Sequence, residues 1–253
     1  FSVSSDCQCD KAMASMGNGV GDANGDGIAD VYISDFGPPT LMLGDGEGAF
    51  VEAAAAMGAD VPATPDHQSG WGTVFADLDR NGCMDLVITY GESCHSCEYF
   101  DDSEEQYNQV LYSDCAGGFT RAEPFTPGFD DSGRSRAVVI GDLDADGRAD
   151  LITIGKHFLR TWRLGGGCET GLTLQLVGEG PNVHAIGARV AVEAAGRVET
   201  QWVLPGTASS SSAFDLYFGL AGAESATRVE VTWPNGAVSE LLDLPAGVRA
   251  LHE

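Results

Sequence analysis

Asp142-Leu-Asp-Ala-Asp-Gly-Arg-Ala-Asp150 places oxygen-bearing side chains at positions 1, 3, 5 and 9 of a nine-residue run, with glycine at position 6. The same pattern, D-x-[DN]-x-[DN]-G-x-x-D, recurs at Asp22-Ala-Asn-Gly-Asp-Gly-Ile-Ala-Asp30 and at Asp77-Leu-Asp-Arg-Asn-Gly-Cys-Met-Asp85. Hard oxygen donors at alternate positions, a glycine for the sharp turn and a closing carboxylate describe a loop wrapped around Ca²⁺. The expected ligands are the side chains of Asp22, Asn24, Asp26 and Asp30, of Asp77, Asp79, Asn81 and Asp85, and of Asp142, Asp144, Asp146 and Asp150. The backbone carbonyls of Ile28, Cys83 and Arg148 at position 7 complete the three sets, for about three ions in all. The plain alternative is a set of Asp/Gly turns without metal. An EF-hand is excluded, because position 12 holds Ile33, Ile88 and Thr153, and strands rather than helices flank the loops.

The flanks decide the fold. An apolar, Gly-containing run leads into each loop: residues 16–21, 70–76 and 137–141. A β-branched run leads out: Val31–Ser34, Leu86–Thr89 and Leu151–Ile154. Short runs of this composition on either side of a tight turn read as hairpins. A third strand follows in the first two repeats, Leu41–Leu43 and Val110–Tyr112, then a Gly-rich turn and Phe50 or Phe119. The loops start 55 and 65 residues apart, a spacing of propeller-blade size. Residues 91–108 interrupt the second repeat with an acidic, Cys-containing insertion.

Beyond Gly165-Gly-Gly167 the Asp-rich loops stop. Six candidate strands follow: Leu172–Val177, Ala188–Glu193, Val198–Leu204, Phe214–Phe218, Arg228–Trp233 and Val238–Leu242. They predict a compact β-sandwich or barrel, with the polar run Ser209–Ser212 as a mobile loop. The expectation is an all-β chain: residues 1–165 as calcium-binding repeats in a partial or open propeller-like array, and residues 168–253 as a small β domain.

Charge and cysteines narrow the setting. The 253 residues carry 38 acidic against 13 basic side chains, a net charge of −25, which repels nucleic acid and anionic membranes. Ten of the aspartates lie in the three loops, and three Ca²⁺ would bring the net charge to about −19. No run of about 20 apolar residues exists to span a membrane. Seven cysteines, together with loops suited to millimolar calcium, point to an oxidising, extracellular compartment. Disulfides are expected among Cys94, Cys97 and Cys115. Zinc at these cysteines with His95 is the competing reading, and haem is excluded because Cys97 is followed by Glu98. Cys7 and Cys9 are read as bridging within or between subunits. The odd count leaves one thiol free or paired to another chain. The chain begins at Phe1 and is read as a mature or trimmed product. The five histidines are scattered, with His184 in a turn, and no serine sits in a G-x-S-x-G elbow, so no enzyme is expected.

The loops with their flanks resemble FG-GAP/VCBS repeats, the calcium-binding blades also found in integrin α-subunit propellers. In the tail, Leu174-Gln-Leu-Val177, Ala185-Ile-Gly-Ala-Arg-Val190, Phe214-Asp-Leu-Tyr-Phe-Gly-Leu220 and Val229-Glu-Val-Thr-Trp-Pro-Asn-Gly236 are similar to the ASPIC/UnbV domain. That order is the one found in cartilage-acidic-protein-like secreted proteins. The resemblance implies a calcium-binding propeller followed by a small β domain, and a role as an extracellular adhesion or matrix protein with a protein or glycan partner. Such propellers have about seven blades, whereas this sequence holds about three, below the usual four to eight. Either an N-terminal part is absent or the array is open. Exposed edges would then favour self-assembly, with Phe1–Ser4 as a strand to donate. A subunit of an extracellular polymer or fibre is the second expectation, and a calcium-dependent hydrolase or lyase the third.

Overall fold

The computed structural model describes residues 15–60, 69–91, 106–122, 134–163 and 170–253. Among the described residues there is no helix. Three hairpins carry the three Asp loops in one register. The first joins β1 (Gly17–Gly21) to β2 (Asp30–Ser34), pairing Gly21 with Asp30. With β3 (Thr40–Gly44) and β4 (Phe50–Glu52) they form a four-stranded antiparallel sheet. The second sheet repeats it with β5 (Gly70–Ala76), β6 (Asp85–Tyr90), β7 (Gln109–Ser113) and β8 (Phe119–Arg121), pairing Ala76 with Asp85. The third has β9 (Ser135–Gly141), β10 (Asp150–Gly155) and β11 (Leu159–Trp162), pairing Gly141 with Asp150. Phe50 and Phe119, expected as the ends of the repeats, start fourth strands.

The burial of the second strand of each sheet reveals the stacking. In β6 all six residues are buried. Leu86, Ile88 and Tyr90 pack with Tyr32 and Leu41 of the first sheet. Val87 packs with Val138, Ile140 and Leu151 of the third. A strand covered on both faces favours a continuous apolar run, which explains Leu86-Val-Ile88, while the buried Thr89 hydroxyl donates to the Gly72 carbonyl (3.1 Å). In β2 burial alternates, and in β10 Ile154 is exposed. The middle sheet is thus sandwiched, and among the described residues no sheet closes into a barrel.

The remaining strands are β12 (Gly171–Val177), β13 (Arg189–Ala194), β14 (Arg197–Trp202), β15 (Ser210–Ser212), β16 (Leu216–Gly219), β17 (Ser225–Thr232), β18 (Val238–Pro245) and β19 (Gly247–His252). A three-stranded sheet, β16-β12-β19, faces a four-stranded one, β14-β13-β17-β18. Leu172, Leu174, Val190, Val192, Phe218, Val229, Val231 and Trp233 fill the core between them. Strand β19 pairs in parallel with β12, one strand more than the sequence pattern suggests.

Ser209–Ser212, expected as a mobile loop, is corrected by the structure. Strand β15 pairs in parallel with β9, so the C-terminal part supplies the fourth strand of the third sheet. The surrounding segment touches the first strand of each of the three repeat sheets. Ala208 N–H donates to Asn18 Oδ1 (3.1 Å), Thr73 N–H donates to Ser210 Oγ (2.7 Å) and Ala213 N–H donates to the Ile140 carbonyl (2.8 Å). Polar residues are selected here because three strands offer backbone groups that need partners.

The expected domain boundary between residues 165 and 168, the strand Phe1–Ser4 and Cys7, Cys9, Cys94, Cys97 and Cys168 lie outside the described residues. Cys115, expected to pair with Cys94 or Cys97, is bonded to Cys83 instead. Its sulfur is therefore not a zinc ligand.

Candidate metal centres

Loops 1 (Asp22–Asp30), 2 (Asp77–Asp85) and 3 (Asp142–Asp150) are built by carboxylates that gather backbone N–H groups. The first Asp spans the turn: Asp22 accepts from Asp26 and Gly27 N–H (3.0 and 2.9 Å), Asp77 from Asn81 and Gly82 (3.0 and 2.8 Å), Asp142 from Asp146 and Gly147 (3.1 and 2.8 Å). Position 3 closes an Asx turn onto the N–H of position 5 in all three loops. Gly27, Gly82 and Gly147 at position 6 have φ of 80°, 83° and 81°, which is why the pattern demands glycine there.

Position 9 reaches further. Asp30 accepts from Ala23 N–H (2.8 Å) and Gly44 N–H (2.9 Å), and Asp85 from Leu78 N–H and Ser113 N–H (both 2.9 Å). Gly44 and Ser113 end the third strands, so this Asp ties the loop to the far side of its sheet. Asp150 accepts from Leu143 N–H (3.0 Å).

Clustering brings carboxylate oxygens close. One oxygen each from Asp77, Asp79 and Asp85 lies within 4.8 Å of the others, and Asp142, Asp144 and Asp146 do the same. The two groups differ: loop 2 includes its position-9 Asp, while loop 3 leaves Asp150 outside and draws on position 5. Asn24 supplies the amide oxygen at position 3 of loop 1, with its Nδ2 donating to Asp26 Oδ2 (2.9 Å). Among the expected position-7 residues, Cys83 carries the disulfide, and Ile28 Cδ1 lies 3.5 Å from where a Cβ on Gly46 would sit. The N–H groups of Ile28 and Arg148 donate to Asp26 and Asp146 (2.8 and 2.9 Å).

Burial sets the electrostatics. Desolvation raises the Asp22 carboxyl, pushes Asp30 and Asp77 up to about 6, and pushes Asp85 up to about 8. Neighbouring carboxylates within loops 1 and 2 add to the rise. Buried acids crowded this way are satisfied by a proton or by a cation. An all-oxygen, carboxylate-rich set fits a hard divalent ion such as Ca²⁺.

The sequence pattern did not reveal what covers the loops. Arg189 of β13 donates from Nε and Nη2 to the Gly27 carbonyl (3.4 and 3.3 Å). Arg197 Nη1 donates to the Asn81 carbonyl (2.6 Å), and Gly219 N–H to Asp77 Oδ2 (3.0 Å). Thr173 Oγ1 donates to the Gly147 carbonyl (2.8 Å), which also accepts from Arg80 of loop 2 (3.2 Å). Asp142 N–H donates to the Tyr217 hydroxyl (2.9 Å). Glu199 is fully buried beside Asp77. Burial first, and the Asp77 charge second, raise its carboxyl well above the usual range. Its one signal in the sequence is an acid inside the strand candidate Val198–Leu204, two residues from Gln201, whose Nε2 it accepts (2.6 Å).

These sheets and loops define a repeat protein with a docked β-sandwich, and comparison with known proteins gives the class a name. The family model described as FG-GAP-like repeat matches residues 22–88, and the model described as ASPIC and UnbV matches residues 178–251. The two matches, in this order along the chain, support an FG-GAP-like repeat segment followed by an ASPIC and UnbV segment. The chain is similar to human cartilage acidic protein 1, 24% identical over 288 residues covering 92% of this chain and 43% of that protein. Mouse cartilage acidic protein 1 is 25% identical over 290 residues, covering 92% and 44%. The chain thus spans less than half the length of the curated relatives it matches. Loop 3 lies outside both matched segments yet repeats the position-1 and position-3 hydrogen bonds of loops 1 and 2.

Proposed function

We propose that this is an extracellular, non-enzymatic calcium-binding protein that presents a β surface to a protein or glycan partner at a cell surface or matrix. The observation that carries the reading is the threefold loop: three hairpins in one register, with carboxylates drawn together at the turns of loops 2 and 3. Asp22, Asn24, Asp26, Asp30 and the Ile28 carbonyl would hold one ion. Asp77, Asp79, Asn81, Asp85 and the Cys83 carbonyl would hold a second, and Asp142, Asp144, Asp146, Asp150 and the Arg148 carbonyl a third. Calcium would neutralise carboxylates that otherwise repel, and so stabilise the fold. The loop carboxylates are engaged with their own backbone N–H groups, an arrangement suited to shaping a turn around an ion. The Cys83–Cys115 disulfide and the names of the relatives support an extracellular setting. The division into residues 1–165 and 168–253 belongs to the same reading.

Outer strands favour self-assembly as the second reading. Val51 of β4, Leu159 of β11 and Leu242 of β18 are each at least 64% exposed on strands that end their sheets. Thermal unfolding in millimolar calcium and in EDTA tests the structural role. The melting temperature should be several degrees higher with calcium, and equal values would sink the proposal. Particle size in the same two buffers separates a monodisperse monomer from a polymer.

A further inference from the structure

The contacts between the C-terminal sandwich and the loops follow one geometric rule. In loop 1, Arg189 binds the Gly27 carbonyl; the same peptide's N–H, on Ile28, donates to Asp26 Oδ1. In loop 2, Arg197 binds the Asn81 carbonyl; that peptide's N–H, on Gly82, donates to Asp77 Oδ2. One residue earlier, Ala221 N–H donates to the Arg80 carbonyl (3.0 Å), and the N–H of that peptide, on Asn81, donates to Asp77 Oδ1. In loop 3, Thr173 binds the Gly147 carbonyl; its peptide N–H, on Arg148, donates to Asp146 Oδ1.

A trans peptide is planar, with C=O and N–H pointing in opposite directions. A donor that fixes the carbonyl from outside therefore fixes the N–H inside, and with it the carboxylate that accepts from it. The gripped carbonyls belong to positions 4, 5 and 6, so the position-7 carbonyl stays available to an ion. Gly219 brings the second unit closest. A Cβ there would lie 2.1 Å from Asp77 Oδ2.

We infer that the C-terminal sandwich is a clamp that orients the ligating carboxylates of all three loops, so that cation binding and docking of this unit strengthen each other. Arg189, Arg197, Thr173 and Gly219 are positioning residues: they act on the ion through peptide planes and do not touch it. The inference rests on the cation reading above. Linkage requires the coupling to run both ways, from docking to affinity and from the ion to docking.

Electrostatics makes the test sharp. Removing an arginine near a divalent cation should tighten binding if charge alone matters, because like charges repel. The clamp predicts the opposite sign. The full chain, stripped with EDTA, is titrated with Ca²⁺ against a chromophoric chelator. Arg189→Met with Arg197→Met should weaken binding about tenfold at the affected sites. Arg228→Met removes one such charge, half of what the double variant removes, from a residue paired with Glu230 and Glu240, and should leave affinity unchanged or slightly tighter. Arg197→Lys retains a donor and should recover most of the loss at loop 2. Gly219→Ala provides an independent steric route to the same weakening, and Arg197 is exposed enough for its variants to fold. Wild-type binding with affinity in the double variant equal to or tighter than in Arg228→Met overturns the clamp alone. No calcium binding by the wild type overturns the cation reading beneath it.

Discussion

Loops 2 and 3 have the same ligand pattern in different surroundings. Asp85 closes loop 2 from a fully buried position, tied to the end of β7 through Ser113, and Cys83 is bonded to Cys115 in the next turn. Loop 3 is more open: Asp144 and Asp146 are exposed, and Asp144 forms an ion pair with Arg163. The sheets behind them differ likewise, β6 being buried throughout while β10 leaves Ile154 exposed. A nine-residue pattern therefore specifies the local turn, and the stack of sheets decides how strongly that turn is insulated from water. Loop 1 lies between these two, with Ile28 over Gly46 where loop 2 has its disulfide.

The largest expected contrast is between the sheets. Ile88→Ala removes a side chain buried between two sheets and should cost about 2–5 kcal/mol. Ile154→Ala, at an exposed position, should cost under about 1 kcal/mol in urea unfolding. Equal losses would contradict the sandwiched middle sheet. The disulfide comes next. Cys83→Ser with Cys115→Ser should destabilise by about 2–4 kcal/mol, while Ile28→Ala at the matching place in loop 1 should cost less.

Without metal, pH should sharpen the contrast further. A carboxyl whose folded pKa is raised holds its proton in the folded state where the unfolded chain has lost it. Stability should therefore fall as pH rises from about 4 through about 6, set by Asp30 and Asp77, to about 8, set by Asp85. Asp85→Asn should flatten the upper part of that fall. In calcium the slope should shrink or reverse, because the ion competes with the protons. The smallest effect belongs to the exposed ion pair: Arg163→Ala should change stability by less than about 0.5 kcal/mol.

Loops, hairpins and sheet order within each repeat were legible because ligand spacing and strand alternation are local. The run Leu86-Val-Ile-Thr89 even carries its two-sided burial in its composition. Strands β4 and β8 were not visible, since three residues give no periodicity. The Cys83–Cys115 bond depends on stacking a turn over a loop 32 residues away, which spacing alone does not encode. Ser210–Ser212 reads as a loop because its partners lie on β9 and β5, far away in sequence. The roles of Glu199 and of the arginines of the clamp are invisible in the sequence for the same reason. They appear only once the sandwich is seated on the loops.

Calorimetric titration of the EDTA-stripped chain with Ca²⁺ at pH 6 and pH 8 tests the central claim most directly. The account predicts about three bound ions, with affinity increasing at the higher pH as the buried carboxyls release their protons. Absence of binding heat at both values, with an unchanged melting temperature, would contradict it.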